Sequence, residues 1–264
     1  MTREFNSDYV RDRGISGIVA ISDGRSRSLS SNTIRNAQAP FAIHSIGKVF
    51  TGVLLLRLIE DNIIPEGALD RPIQLCLSEE VIQKLSPVVR DQLARTTLRE
   101  VMLHQGRYGD YLDKYMDAIS RAIAEGRSVP KIHRPQDFLA YADEGLVELG
   151  PNGSTYSNLG ILLVGFAIEH LYHQSTNRSI PYQEILKQYL INPAGIQMFQ
   201  TEMPSGARVN PADPIAPHIV GGPAGGYWTT ANDMLRFGDW LGQQCKREPF
   251  MRLVQLYGGE FLQR

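Results

Sequence analysis

The chain has 264 residues, of which 42% are hydrophobic and 21% are charged, the composition of a globular protein able to bury a sizeable core. Its 27 basic residues nearly balance 28 acidic ones without a run of five or more like charges, so we predict no nucleic-acid partner. The two cysteines, Cys76 and Cys245, lie in no CxxC or Cys/His grouping, which argues against a disulfide framework and against a zinc site.

The start of the chain and its most apolar segment bear on location. Residues 1–8 contain neither the basic start nor the apolar stretch of a secretory signal, so a cytoplasmic location is expected. The longest apolar stretch, residues 49–59, contains Arg57 and is too short to cross a hydrocarbon layer of about 30 Å. We therefore expect no membrane span and interpret this stretch as a core helix.

Two strands are predicted near the N-terminus. Residues 17–22 form a short apolar run rich in β-branched side chains. This run ends at Asp23 and Gly24, a dipeptide favoured where a hairpin turn needs a positive φ. A weaker return strand is predicted at residues 27–30.

Helical signals follow as far as about residue 200. A helix that is apolar on most sides is predicted to begin at Ser45 and to end near Asn62. Thr97 and Glu100 match a capping box, in which the two side chains satisfy free amides at a helix start. Later signals predict a helix closed at Gly126, one over residues 159–170, and an amphipathic one that opens with a second capping box, Thr230 to Asp233.

The first candidate for chemistry is the Ser-x-x-Lys element formed by Ser45 and Lys48. Three residues apart at a helix start, the two side chains project from the same face. A serine hydroxyl is a weak nucleophile until an adjacent base removes its proton, and a partly buried lysine has an accessible neutral form. The pair therefore predicts a nucleophile and its base, and the simpler alternative is a serine cap beside a solvated lysine.

The second candidate is Tyr156-Ser157-Asn158, which lies between a turn at residues 150–153 and the next predicted helix. A loop held between a turn and a buried helix is a good place to orient functional side chains. Tyr156 could relay a proton, and Asn158 could both donate and accept hydrogen bonds. The simpler alternative is an aromatic anchor followed by an asparagine helix cap.

These elements lie in longer stretches that resemble serine β-lactamases and penicillin-binding proteins. Residues 41–51 resemble the family's first motif, in which a nucleophilic serine and a lysine follow an F-x-I/V-x-S approach. Residues 156–160 are similar to the second motif, Y-S-N-x-G, of the class C β-lactamase and esterase branch. Further stretches resemble the family in the same order along the chain: residues 97–104, 192–197 and 222–234.

The resemblance implies an α/β (α+β) fold of the β-lactamase/transpeptidase type, with an antiparallel sheet flanked by helices and an all-helical domain. It places a discontinuous α/β domain at residues 1–62 and 206–264, and the helical domain at residues 63–205. The loop at residues 221–226 would be a tight structural passage beside the site.

The resemblance also assigns roles to four residues. Ser45 would be acylated, Lys48 would accept the serine proton, Tyr156 would shuttle it, and Asn158 would hold the substrate. No metal ion and no organic cofactor are implied. The partner would be a small-molecule or peptide substrate, and the oligomeric state is left open.

The family's third element, K-T-G or H-x-G on a strand edge, has no convincing match after Trp240. That strand and the amide of the nucleophile together form the oxyanion hole in the family. The sequence at residues 257–259 is a weak candidate, because it follows the preceding helix too closely. We therefore expect a C-terminally truncated chain that lacks strands of the sheet. Arg107 also stands where relatives have glycine, which predicts local strain if its φ is positive.

Two other groups of polar residues are interpreted as structural. His170 and His173 could face one way on a helix, but no third metal ligand is near them in sequence, so an exposed helix end is predicted. Asp110, Asp113 and Asp117 are predicted to form a solvated helix face.

Two functional hypotheses follow. The first is a β-lactamase-related serine hydrolase that acts through a serine acyl-enzyme on a β-lactam, a D-alanyl peptide or an ester. The second is a catalytically inactive family member that serves as a binding module, which the missing third element favours. Since members of this family are often exported, the expected cytoplasmic location favours an esterase or a degenerate member.

Overall fold

The computed structural model describes residues 18–22, 27–31, 38–209 and 216–254. The strands within these residues are β1 (Ile18–Ser22), β2 (Arg27–Ser31), β3 (Phe41–Ala42), β4 (Phe199–Gln200) and β5 (Trp228–Thr229). Strands β1 and β2 form an antiparallel pair in which Ile18 is opposite Ser31. The first predicted strand and its return strand are thus confirmed, whereas the predicted turn at Asp23 and Gly24 lies outside the described residues.

A second antiparallel sheet has the strand order β3-β5-β4. Its central strand β5 pairs with β3 through Phe41 and with β4 through Phe199, both of which are opposite Thr229. Since β3 ends two residues before His44, this small sheet holds the backbone that leads into the Ser45 segment.

Nine helices lie within the residues that the structure describes, and one of them, Ala231–Gln244, contacts both β1 and β2. They are α1 (Gly47–Glu60), α2 (Glu79–Gln83), α3 (Pro87–Leu93), α4 (Leu98–Met102), α5 (Leu112–Ala124), α6 (Asn158–Thr176), α7 (Tyr182–Leu186), α8 (Ala231–Gln244) and α9 (Glu248–Leu253). Short 3₁₀ turns lie at His44–Ile46, Glu66–Asp70, Ile73–Cys76, Pro135–Tyr141 and Ala216–His218, and Lys187–Ile191 is a π-helical turn.

The centre of the fold is formed by α1 and α6, which contact each other. Both helices are apolar on nearly every side, which is the pattern of a helix surrounded by protein. Their fully buried side chains include Phe50, Leu54 and Leu58 of α1 and Leu162 of α6. No helix in the described part of the chain has the length and hydropathy needed to span a bilayer.

Local signals in the sequence explain several helix ends. The capping box at Thr97 is confirmed, because the Thr97 amide donates to Glu100 at 2.7 Å and the Glu100 amide donates to the Thr97 hydroxyl at 3.2 Å. Helix α5 is followed by Gly126 with φ 64°, as predicted. The second predicted capping box forms only in part: Thr230 caps α8, but the Asp233 carboxylate accepts hydrogen bonds from the amides of residues 197 and 198 instead of the Thr230 amide.

A glycine on α6 allows the loop at residues 221–226 to reach the core. A Cβ atom at Gly165 would overlap the ring of Pro223, whereas a Cβ at Gly52, on α1, would meet no atom within 4 Å. We therefore expect Gly165→Ala to lower the free energy of unfolding by about 1–3 kcal/mol through overpacking. Gly52→Ala is the matched control and should be neutral or stabilising by up to about 1 kcal/mol, because alanine favours helix. Urea unfolding of both variants tests this, and equal changes would contradict it.

Candidate active site

Ser45 lies in the 3₁₀ turn that precedes α1 rather than in the helix itself. The prediction that α1 begins at Ser45 is therefore wrong by two residues, since the helix begins at Gly47. The cause is His44, whose φ of 45° turns the chain sharply just before Ser45. This turn leaves the Ser45 side chain exposed while Lys48, on the first turn of α1, is only 6% exposed.

The predicted pairing of Ser45 and Lys48 is present in the structure. The Lys48 ammonium donates a hydrogen bond to the Ser45 hydroxyl at 3.0 Å. Ser45 does not cap α1, because the N-cap is Ile46 and no side chain caps the helix. The alternative of a serine cap beside a solvated lysine thus disagrees with both the helix start and the burial of Lys48.

The loop at residues 221–226 closes over Lys48. Gly222 and Gly225 exchange two backbone hydrogen bonds of 2.9 Å, which tighten the loop. Its apex directs the Ala224 carbonyl at Lys48, whose ammonium donates to it at 2.6 Å. A Cβ at Gly47 would lie 2.6 Å from the Gly225 Cα, and Gly225 has φ 123°, so glycines are needed on both sides of this approach.

The second motif brings two further side chains to the same place. The Tyr156 hydroxyl lies 2.6 Å from the Ser45 hydroxyl, and either oxygen can be the donor. Asn158 accepts a hydrogen bond from Lys48 through Oδ1 at 2.6 Å. The helix cap is Ser157, whose hydroxyl accepts from the Gly160 amide at 2.8 Å. Asn158 is therefore not a cap, and Tyr156, which is 54% exposed, is not a buried anchor.

The electrostatics of the site favour proton transfer at Lys48. Burial of the ammonium lowers the pKa of Lys48 to about 8, and the nearby Asp110 carboxylate opposes this shift. About one tenth of the Lys48 side chains are then neutral at pH 7. Burial raises the pKa of Tyr156, although its hydrogen bond with Ser45 acts in the opposite direction, so the phenol keeps its proton.

The partners of Lys48 determine where its lone pair points. The carbonyl oxygens of Asn158 and Ala224 can only accept hydrogen bonds, whereas the Ser45 hydroxyl can also donate. A neutral amine has two hydrogens, and these satisfy the two carbonyls. The remaining lone pair is directed at the Ser45 hydroxyl, an arrangement in which the amine could accept the hydroxyl proton.

Two residues that sequence reasoning did not assign to the site lie beside it. The His104 ring stacks on the Tyr156 ring with centroids 4.8 Å apart, and its Nδ1 accepts from the Ser157 amide at 3.2 Å. Burial and the Lys48 charge lower the pKa of His104. Asp110 accepts a hydrogen bond from the Asn158 side chain at 2.8 Å. His104 ends a stretch that resembles the family, whereas no local pattern distinguishes Asp110.

The interpretation of Asp110 as part of a solvated helix face is therefore wrong. Asp110 precedes α5 and is partly buried, because its carboxylate faces the start of α6. Asp113 and Asp117 do lie on α5 and are exposed, as predicted. Arg107 has φ 62°, the positive value under which strain was predicted.

The third element of the family has no counterpart in the described residues. After Thr229 these residues form α8, a short turn and α9, without a further strand up to Val254. The weak candidate at residues 257–259 lies outside the described part of the chain. His170 and His173 lie on α6, where His170 contacts Gln174 at 2.8 Å, and the residues the structure describes contain no cluster of three or more potential metal ligands.

Comparison with known proteins identifies relatives of this arrangement. The profile of the family named Beta-lactamase matches residues 7–255. No curated protein sequence matches the chain. Among solved structures, the chain is similar to a penicillin-binding protein from Bacillus halodurans, with a TM-score of 0.66 and 19% identity over 94% of this chain and 76% of the other.

Two further solved structures share the fold. A D-stereospecific amidohydrolase from Streptomyces sp. has a TM-score of 0.63 and 22% identity over 84% of this chain, which spans 66% of that protein. A class C β-lactamase from Rhodobacter sphaeroides has a TM-score of 0.52 and 17% identity over 88% of this chain and 62% of the other. These likenesses confirm the predicted β-lactamase/transpeptidase-like fold, with helices around small antiparallel sheets.

Proposed function

Since the chain belongs to the Beta-lactamase family, we propose that it is a serine hydrolase that forms an acyl-enzyme on Ser45 with a β-lactam, a D-alanyl peptide or an ester. One observation carries the proposal. Lys48 has two partners that can only accept hydrogen bonds and a third, Ser45, that can give up a proton, so its neutral form faces the nucleophile with its lone pair.

The reaction would begin with neutral Lys48. As the Ser45 Oγ bonds to the substrate carbonyl carbon, its proton passes to Lys48 and the carbonyl electron pair moves onto oxygen. The Tyr156 hydroxyl, 2.6 Å from Oγ, is placed to pass its proton to the leaving amine or alcohol as the old bond breaks, and the proton held by Lys48 then restores the phenol and leaves the amine neutral. Water then attacks the acyl carbon, and Ser45 regains its proton as the acid product leaves.

The role of Asn158 as a substrate-holding residue stays a prediction. In the structure its Oδ1 accepts from Lys48 and its Nδ2 donates to Asp110, so both ends of the amide have partners within the protein. The names of the relatives, an amidohydrolase, a penicillin-binding protein and a β-lactamase, support the β-lactam and the peptide amide. The ester is proposed from the likeness of residues 156–160 to the esterase branch of the family. All three classes of substrate present a carbonyl to a nucleophile of this kind.

Covalent labelling tests the proposal. The wild-type chain is incubated with a fluorescent penicillin and, separately, with a fluorophosphonate, and intact-mass spectra are recorded before the modified peptide is mapped. We expect a single adduct on Ser45. A folded protein, verified by circular dichroism, that binds penicillin reversibly without any adduct would instead support the binding-module hypothesis.

The labelling rate should depend on pH through Lys48. Because the neutral amine is required and its pKa is about 8, the rate should rise about tenfold per pH unit below pH 8 and level off above it. The other titratable groups near Lys48 are Asp110, His104 and Tyr156, and the lowered pKa of His104 separates its titration from the inflection near pH 8. A rate that does not change between pH 6 and pH 9 would contradict Lys48 as the base.

A further inference from the structure

The Asp110 carboxylate connects the loop before α5 to the start of α6 through hydrogen bonds. Its Oδ1 accepts from the amides of Tyr111 at 2.6 Å and Leu112 at 3.0 Å. Its Oδ2 accepts from the Asn158 side-chain nitrogen at 2.8 Å and from the Asn158 amide at 3.3 Å. The carboxylate thus has four donors, two on each oxygen.

The backbone of Asp110 is held as well. Its amide donates to the Asp143 carboxylate at 2.8 Å, and the Asp143 amide donates to the Asp110 carbonyl at 2.8 Å. Asp143 also pairs with Lys114 at 3.1 Å. Because both the backbone and the carboxylate of Asp110 are anchored, the face that Asp110 presents to Asn158 is well defined.

An asparagine amide has nearly the same shape when its oxygen and nitrogen are exchanged, so its partners decide which way it points. An ionised carboxylate only accepts hydrogen bonds, and it therefore binds the Nδ2 of Asn158. This leaves Oδ1 directed at Lys48, where it is observed at 2.6 Å. If the amide were reversed, Nδ2 would face Lys48 and would donate to the lone pair of the neutral amine.

We propose that Asp110 is a positioning residue for the serine-hydrolase reaction: by fixing the orientation of the Asn158 amide, it keeps the lone pair of Lys48 directed at Ser45. The inference rests on the proposed function and adds a residue that does not itself touch the nucleophile. Its geometric effect favours proton transfer. Its negative charge acts against it, because Asp110 raises the pKa of Lys48 and so reduces the neutral fraction.

The variant Asp110→Asn separates these effects. The new Oδ1 can still accept from the Tyr111 and Leu112 amides, so the start of α5 is retained. The new Nδ2 would meet the Asn158 nitrogen, and the Asn158 amide should reverse in response. We expect the labelling rate at its high-pH plateau to fall by roughly 10²-fold, the lower end of what a positioned base contributes. The midpoint of the pH profile should move to lower pH, because the carboxylate is gone.

Asp113→Asn is the matched control. It removes one carboxylate from the first turn of α5, where Asp113 is exposed, and leaves Asn158 untouched. Its plateau rate and midpoint should equal those of the wild type. Should Asp110→Asn fail to fold, Asp110→Ser takes its place, since a serine hydroxyl can still accept from an amide before α5 but is too short to hold the Asn158 amide in one orientation.

The double variant Asp110→Asn with Asn158→Asp provides the rescue. The donor at position 110 again meets an acceptor at position 158, whose second oxygen can accept from Lys48. The plateau rate should recover at least about tenfold over Asp110→Asn. The midpoint should move above that of the wild type, because a carboxylate now contacts the Lys48 amine. The plateau rates carry the test of positioning, because removing or moving a carboxylate shifts the Lys48 midpoint by its charge alone.

The positioning role is tested by fluorophosphonate labelling of these variants between pH 6 and pH 10. Circular dichroism verifies that each variant is folded. A wild-type plateau rate in folded Asp110→Asn, or a folded double variant without recovery, would overturn the positioning role alone. Absence of a Ser45 adduct in the wild-type chain would overturn the proposed function, and the positioning role with it.

Discussion

Ser45→Ala is expected to abolish the covalent adduct and to lower any hydrolytic rate by on the order of 10⁶-fold, the effect of removing the nucleophile from a serine hydrolase. The structure supplies the reason, because one hydroxyl and one amine converge on the Ser45 oxygen. Tyr156 lies 2.6 Å and Lys48 3.0 Å from the Ser45 Oγ, and alanine leaves both without the atom they act on. Intact-mass spectra after incubation with a fluorescent penicillin or a fluorophosphonate measure the loss.

Ser120→Ala is the control for this experiment. Ser120 is an exposed serine on α5 and should be replaceable with no change in labelling. Both variants should unfold at the wild-type temperature, since both serines are exposed. Persistent labelling of Ser45→Ala at the wild-type rate would show that another residue is the nucleophile, and peptide mapping would then locate it.

Lys48→Met is expected to lower the labelling rate by roughly 10²- to 10⁴-fold, the contribution of a well-placed general base. Methionine keeps the unbranched stem and suits a site that is only 6% exposed, so the change removes the amine and the hydrogen bonds that it donates while it keeps the packing of the stem. The residual rate should also lose the inflection near pH 8 that the Lys48 amine produces. Stopped-flow or gel-based labelling over the pH range measures both effects.

Lys48→Arg tests whether Lys48 acts as a proton acceptor or only as a fixed positive charge. Arginine keeps a positive charge and hydrogen-bond donors, but it stays protonated at every working pH. If Lys48 acts by accepting a proton, the arginine variant should be as slow as the methionine variant. Retention of most of the rate in Lys48→Arg would mean that the ammonium serves as a fixed charge, and the proton acceptor would have to be sought elsewhere, with Tyr156 the next group within reach of Ser45.

Much of the fold and of the site could be predicted because the signals are local. The spacing of Ser45 and Lys48 puts both side chains on one face within a single turn, whether or not Ser45 belongs to the helix. The capping box at Thr97 depends on residues three apart, and the first strand and its return depend on a short β-branched apolar run next to a turn dipeptide. The order of family-like stretches along the chain indicated the fold that the solved relatives confirm.

The predictions that proved wrong depend on a backbone angle and on long-range contacts that no short sequence pattern reveals. Ser45 was placed in the helix because no sequence pattern reveals that His44 adopts a positive φ. Asp110 was assigned to a solvated face because its distance in sequence from Asn158, 48 residues, hides their contact. The second capping box was read from Thr230 and Asp233, but tertiary packing brings the amides of residues 197 and 198 to the same carboxylate.

The sequence by itself thus determined which side chains are available for the proposed acyl transfer and that they lie at or just before helix starts, because turns, caps and three-residue spacings are set within one or two helical turns. Only the tertiary structure decided how the Lys48 amine is used. Its partners Asn158 and Ala224 are 110 and 176 residues away, and they reach it only where α1, α6 and the loop at residues 221–226 pack together. That packing removes water from the ammonium, lowers its pKa, and leaves Ser45 as the one of these three hydrogen-bond partners able to give it a proton.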